Sequence, residues 1–267
     1  GQAPDAGQSA GAEGFDTRLF GCWEVVSYET TKGYFSLWGW EDIAFLYDGS
    51  YYGYLFCAYL DYDYNALLGQ AVTAGNVLSF PEIYEQLGEV SIVIEYELQD
   101  ISASSDTDND YQAFYEKFDD DQLTLRLHAS YQDGPTRIVE IESTIVLEKQ
   151  YPHWDNDILE FTLFGDWTDN YGNKWTFSQE EEETNYPDLT GVMTAANGTA
   201  YEISSVYSSL EKDSDCVEYV HISFKDEATG SIDARILSYD GTVLTLEQFD
   251  RFNSDSDTWP LVLTRAG

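Results

Sequence analysis

Basic residues are scarce in this 267-residue chain: 12 Lys and Arg stand against 50 Asp and Glu, a formal net charge of −38. A field of that sign repels phosphates, so nucleic acid and anionic lipid surfaces are excluded as partners bound through charge. Cysteine is scarce too. Cys22, Cys57 and Cys216 are too few for a disulfide framework and lack the paired CxxC spacing of a zinc site. They read as buried small hydrophobes, with a Cys22–Cys57 bridge left open if their strands are neighbours. His128, His153 and His221 show no metal-ligand spacing, and the chain has no GxSxG, P-loop, HExxH or GxGxxG. No apolar run approaches the ~18 residues that cross a bilayer. The nearest candidate, Tyr54 to Leu60, is broken by tyrosines, so direct membrane insertion is not expected. The six prolines avoid every candidate central strand.

What is plentiful is aromatic. With 21 Tyr, 14 Phe and 7 Trp, and 43% hydrophobic residues overall, the chain can build a packed interior despite its charge. At about 150 residues per domain the length allows one or two domains. The opening GQAPDAGQSAGAEG is built of small and polar residues and reads as a flexible tether over residues 1–17. A tethered start of this kind suits a secreted or cell-surface protein anchored as a lipoprotein.

Strand signals follow. Ile43 to Tyr47, then Asp48-Gly49, then Ser50 to Phe56 predicts a hairpin with a type I′ turn, and Asn197-Gly198 between Met193 and Ile203 repeats the device. Residues 90–98, 122–128, 137–147, 217–224 and 243–249 alternate or are β-branched over strand length. Helical periodicity is confined to Pro81 to Leu87, with Pro well placed at the start, and to Asp110 to Phe118. Leu19-Phe20-Gly21-Cys22-Trp23 recurs as Leu163-Phe164-Gly165-Asp166-Trp167. Leu123-Thr124-Leu125 with Leu147-Glu148-Lys149 parallels Leu244-Thr245-Leu246 with Leu263-Thr264-Arg265. Both halves thus begin and end alike, which predicts two β units over 18–150 and 161–267 joined by a linker at 151–160. A meander of short strands removes its exposed edges by closing into a barrel, with a sandwich as the alternative.

The strand-opening Gly21-Cys22-Trp23, the Phe-x-x-Asp-Gly-x-Tyr of Phe45 to Tyr51, and the closing Leu-Thr-Leu hairpin resemble the lipocalin-like small β-barrel domains of bacterial secreted proteins and lipoproteins. The second unit keeps Gly165-Asp166-Trp167 and Asp240 to Leu246, but has Phe177-Ser-Gln-Glu180-Glu181 where Phe-x-x-Asp-Gly would stand. The resemblance implies an all-β fold of two tandem antiparallel barrels with short helices at most. It also implies that Trp23 and Trp167 plug the closed base of each barrel.

Fifty carboxylates make no single pair informative, because acid–base pairs depend on contrasting environments that sequence does not reveal. Asp106, Asp108 and Asp110 have the first three spacings of a calcium loop. Tyr111 and Lys117 at the sixth and twelfth positions exclude an EF-hand and leave only a looser oxygen-ligand calcium site there, or around Asp255 and Asp257. No other cofactor is implied. Trp38, Trp40, Tyr52, Tyr54 and Tyr59 concentrate rings beside acidic loops, a mixture suited to stacking on a glycan or a flat small molecule. These five are the expected ligand-binding residues, in the longer first unit. The expected function is non-enzymatic ligand binding or interaction. The alternatives are a polysaccharide-acting hydrolase with a carboxylate pair and a purely structural surface domain; ligand identity and oligomeric state stay open.

Overall fold

Turns that need a glycine, set between runs that alternate in polarity, dictate antiparallel pairing. The computed structural model is accordingly all-β, with two helices and one 3-10 turn among the residues it describes. Those residues are 14–34, 42–53, 55, 67–87, 90–100, 117–133, 135–151, 156–179, 189–211, 217–248 and 260–266. The chain divides into two compact units between His153 and Trp154.

In the first unit the strands are β1 (Gly21–Lys32), β2 (Asp42–Phe45), β3 (Ser50–Gly53), β4 (Gly69–Gln70), β5 (Val72–Ala74) and β6 (Val77–Ser79). Helix α1 (Pro81–Leu87) follows, then β7 (Val90–Asp100), β8 (Lys117–Asp133) and β9 (Arg137–Tyr151). They form one nine-stranded sheet in the order β4-β3-β2-β1-β9-β8-β7-β6-β5. Its edge strands β4 and β5 are separated in the chain by Ala71 alone, whose N–H bonds the Gly49 carbonyl at 2.8 Å. The sheet therefore comes round almost onto itself, and this barrel is nearly closed. Alternation sends Leu123, Leu125 and Leu127 of β8, Ile145 and Leu147 of β9, and Ile94 and Tyr96 of β7 inward. Phe45, Tyr51 and Phe80 fill the centre with ring centroids 4.9, 6.2 and 6.5 Å apart, and α1 adds the buried Ile83. The α1 boundaries are those expected from Pro81. Lys117 and Phe118 already belong to β8, and the rest of the second expected helix, 110–116, lies outside the described residues.

The second unit opens with α2 (Asn156–Leu163) and continues through β10 (Gly165–Asp169), β11 (Lys174–Gln179), β12 (Leu189–Thr194) and β13 (Ala200–Glu211). It ends with β14 (Val217–Phe224), β15 (Ser231–Tyr239), β16 (Val243–Gln248) and β17 (Leu261–Arg265). Each strand pairs with the next and β17 returns to β10, so this barrel is closed. Trp175, Phe177, Leu189, Ile203, Val206, Val220, Ile222, Leu244 and Leu246 fill it. Helix α2 starts within the stretch expected as linker and runs into the expected second unit, buries Ile158, Leu159 and Leu163, and packs on β13.

The hairpin turns differ from the type I′ form expected. Gly49 N–H bonds the Leu46 carbonyl at 3.1 Å while Leu46 N–H bonds the Ser50 carbonyl at 2.8 Å, a three-residue loop with Gly49 at φ 89°. Ala195 to Thr199 and Asp169 to Asn173 close the same way, around Gly198 (φ 86°) and Gly172 (φ 84°). In this loop only the third residue needs a left-handed backbone, so one glycine suffices and the two residues before it take the ordinary negative φ of a type I turn.

Candidate functional site

Each unit has a base built in the same way. Gly21 (φ 116°) and Gly165 (φ 111°) turn the chain into β1 and β10, and two residues on, Trp23 and Trp167 are buried at 0% and 1% exposure. The Trp23 indole N–H donates to the Leu19 carbonyl at 2.8 Å, and the Trp167 indole N–H to the Leu163 carbonyl at 2.7 Å. A cation from the last strand lies over each ring: Lys149 Nζ is 5.3 Å from the Trp23 centroid, and the Arg265 guanidinium carbon 4.6 Å from that of Trp167. The register explains this, since Trp23 pairs with Lys149 and Trp167 with Arg265. Gly21 pairs with Phe45 and Gly165 with Phe177, so these two buried phenylalanines are also equivalent. Arg265 further donates to the Phe164 carbonyl at 3.2 Å and to the Thr162 carbonyl, closing the carbonyl end of α2. In the first unit Asp16 caps the 3-10 turn of residues 17–19 and accepts from the Tyr96 hydroxyl at 2.9 Å. Burial acts to raise the Asp16 carboxyl, but hydrogen bonds from Arg18 and Tyr96 outweigh it and hold the group below its usual range.

Of the expected ligand residues, Tyr52 is buried, at 7% exposure, opposite Ala44. Trp38, Trp40, Tyr54 and Tyr59 lie outside the described residues, as do Asp106, Asp108, Asp110, Asp255 and Asp257. Strand ends nevertheless separate the two expectations. The chain leaves the described sheet at Tyr34, beyond the end of β1, and at Gly53, the last residue of β3; both strands run away from the base. It leaves before Asp106 at Asp100, which pairs with Asp121 near the base itself. The aromatic and acidic stretches thus start from opposite ends of the sheet.

The charge has a measurable consequence. Surface charges interact over a Debye length of about 10 Å at 0.1 M salt, so self-repulsion of 50 carboxylates weakens the folded state at low ionic strength. The melting temperature is expected to rise with added sodium chloride. A calcium site of the kind expected from the sequence would add a further rise at constant ionic strength that magnesium would reproduce less well, because calcium tolerates irregular oxygen cages. Equal responses to the two cations remove the specific site.

One side-chain cluster stands apart from both bases. On β14, His221 and Ser223 are two residues apart and share the outer face, since Val220, Ile222 and Phe224 point inward. His221 Nε2 lies 2.7 Å from Ser223 Oγ, and His221 Nδ1 lies 2.6 Å from Asp233 Oδ1. Asp233 is directly opposite His221 on β15, and Tyr207 is directly opposite it on β13. The Tyr207 ring stacks on the imidazole at 4.7 Å between centroids. An ionised carboxylate only accepts, so Nδ1 carries the proton toward Asp233; in the neutral ring Nε2 then accepts from the Ser223 hydroxyl. A bulge between Ile203 and Ser205 brings the Ser204 hydroxyl to the Ser223 carbonyl at 3.2 Å. The sequence reading placed His221 in a strand but missed its partners. Comparison with protein-family models, with curated proteins and with solved structures found no match.

Proposed function

We propose that this chain is a secreted or cell-surface protein of the lipocalin-like class, built of two tandem barrels, that binds a small molecule or glycan at the rim of its first barrel. The observation that carries the reading is the duplicated base: glycine at positive φ, buried tryptophan, and a closing-strand cation over the ring, in the same register twice. Both described interiors are packed with the chain's own side chains from that base upward. A filled barrel leaves loops at its rim as the place for binding residues, held by a rigid sheet. The stretches with Trp38 and Trp40, and with Tyr54 and Tyr59, join strand ends of this kind in the first unit.

The filled interiors equally favour a purely structural surface domain, and one experiment separates the two. Titrating the full chain with soluble glycans and with apolar small molecules, read by tryptophan fluorescence, is expected to give a saturable change with at least one of them. The Trp38→Ala/Trp40→Ala double variant is expected to lose that change at an unaltered melting temperature. Saturable binding that survives the double variant removes the first-barrel rim from the proposal, and no response to any compound leaves the structural reading.

A further inference from the structure

We propose that Ser223, His221 and Asp233 form a nucleophilic relay on the outer face of the second barrel, able to take the acyl group of activated aryl esters. This site is independent of the first-barrel rim. The connectivity is what an activated serine needs: a hydroxyl donating to one ring nitrogen at 2.7 Å, and a carboxylate accepting from the other at 2.6 Å. A serine hydroxyl is a weak nucleophile until a base takes its proton, and a base is useful only in the right tautomer and orientation. Asp233 fixes the tautomer. Strand pairing fixes the orientation, because His221 is flanked by Asp233 on one neighbour strand and by the stacked Tyr207 on the other. All four residues sit on paired strands, which hold a constellation more firmly than loops do. The site is also reachable: the His221 and Asp233 side chains are 19% and 21% exposed, and Tyr207 is 42% exposed.

The surroundings select the substrate class. Ladders to β13 and β15 engage the β14 backbone on both sides, so this strand offers no spare pair of N–H groups for an oxyanion. Losing even one such donor costs on the order of 100- to 1000-fold in rate, which restricts useful turnover to esters with a good leaving group. Tyr207 and Tyr219, the latter two residues before His221 on the same face, supply apolar ring surface for an aryl group. The net charge of −38 disfavours an anionic ester. In the reaction the Ser223 Oγ–C bond forms as the Oγ proton passes to His221 Nε2. The bond to the aryl oxygen then breaks and the phenol leaves with that proton. Water next attacks the acyl carbon, giving a proton to His221. The Ser223 Oγ–C bond breaks, releasing the carboxylic acid, and Oγ recovers the proton.

The test treats the full chain with a fluorophosphonate, which forms a P–O bond to an activated serine and releases fluoride, and maps the adduct by peptide mass spectrometry. A single adduct at Ser223 is expected in the folded chain and none at that position in urea. p-Nitrophenyl acetate turnover is expected to disappear with Ser223→Ala and to fall on the order of 100-fold with His221→Ala, the usual worth of a positioned base. Asp233→Asn, which reverses the tautomer, should lower it comparably. The folded-versus-urea comparison on the unaltered chain decides the matter even if a variant fails to fold. No adduct, adducts spread over other serines, or labelling indifferent to urea overturns the proposal. Labelling and turnover unchanged in well-folded His221→Ala and Asp233→Asn overturn it as well.

Discussion

Replacing either base tryptophan with alanine is expected to remove about 3–5 kcal/mol of stability, the usual cost of truncating a large buried aromatic side chain. Trp23 and Trp167 are both fully enclosed, each satisfies one main-chain carbonyl, and each lies under a cation from the last strand. Truncation therefore opens a cavity, orphans a carbonyl, and strips the ring from Lys149 or Arg265. Phenylalanine keeps most of the buried area but forfeits the indole hydrogen bond, worth about 0.5–1.5 kcal/mol net, so it should fall between wild type and alanine. Because each unit has its own core, Trp23→Ala should raise hydrogen exchange in β1 and β9, and Trp167→Ala in β10 and β17. A loss below about 1 kcal/mol, the scale of an ordinary substitution, or one pattern of exchange from both variants, counts against the two-base account.

The architecture was legible because its signals are local. Strand alternation, a glycine in each three-residue hairpin loop and the doubled Gly-x-Trp all act within a few residues. The boundaries of β14 and α1 match the expected ones, and β16 ends one residue short of its expected end. The turn type was misjudged for a physical reason: Asp48-Gly49 and Asn197-Gly198 satisfy a two-residue loop and a three-residue loop equally, and only the pairing of Leu46 with Ser50 distinguishes them. Helix α2 was hidden by its length. Eight residues give barely two turns, and its buried Ile158, Leu159, Thr162 and Leu163 run into the repeated Leu-Phe-Gly that signals a strand start.

The outer cluster shows where reading by residue stops. His221-x-Ser223 places two side chains on one face of a strand, and that much is visible in sequence. Asp233 joins them only through register, because β14 and β15 pair symmetrically about Glu227. A turn centred one residue away would put a different side chain opposite the imidazole. The closing pair of the turn carries the information: Phe224 N–H bonds the Gly230 carbonyl at 3.2 Å, and reflection about the midpoint of that pair, Glu227, takes His221 to Asp233. Aromatic crowding is the more conspicuous signal in the sequence and lies in the first unit, where Tyr52 is buried.

Among the described residues, Asp169 is the carboxylate whose removal should cost most. It is 5% exposed at the end of β10, and four donors converge on it. Its Oδ1 accepts from Tyr171 N–H at 2.9 Å and Asn173 N–H at 2.8 Å, while Oδ2 accepts from the Asn173 amide at 2.8 Å and the Trp175 indole at 2.9 Å. The first three donors lie in a surface turn and recover water if the carboxylate goes. The Trp175 indole N–H does not, since that ring is buried in the barrel. With roughly 1–3 kcal/mol for each buried donor left unpaired, Asp169→Ala should lose about 3–4 kcal/mol, most of it from the indole and the collapsed turn. Asp169→Asn is the sharper test, because every partner is a donor and an amide can offer only one oxygen to them. Its NH2 must then face two of those N–H groups, so the asparagine variant should lose nearly as much as alanine despite its equal size. Urea unfolding followed by tryptophan fluorescence, with hydrogen exchange over residues 165–179, measures both variants. An asparagine variant within about 1 kcal/mol of wild type, the net worth of one ordinary hydrogen bond, would mean that the charge and the second acceptor oxygen do not hold this turn.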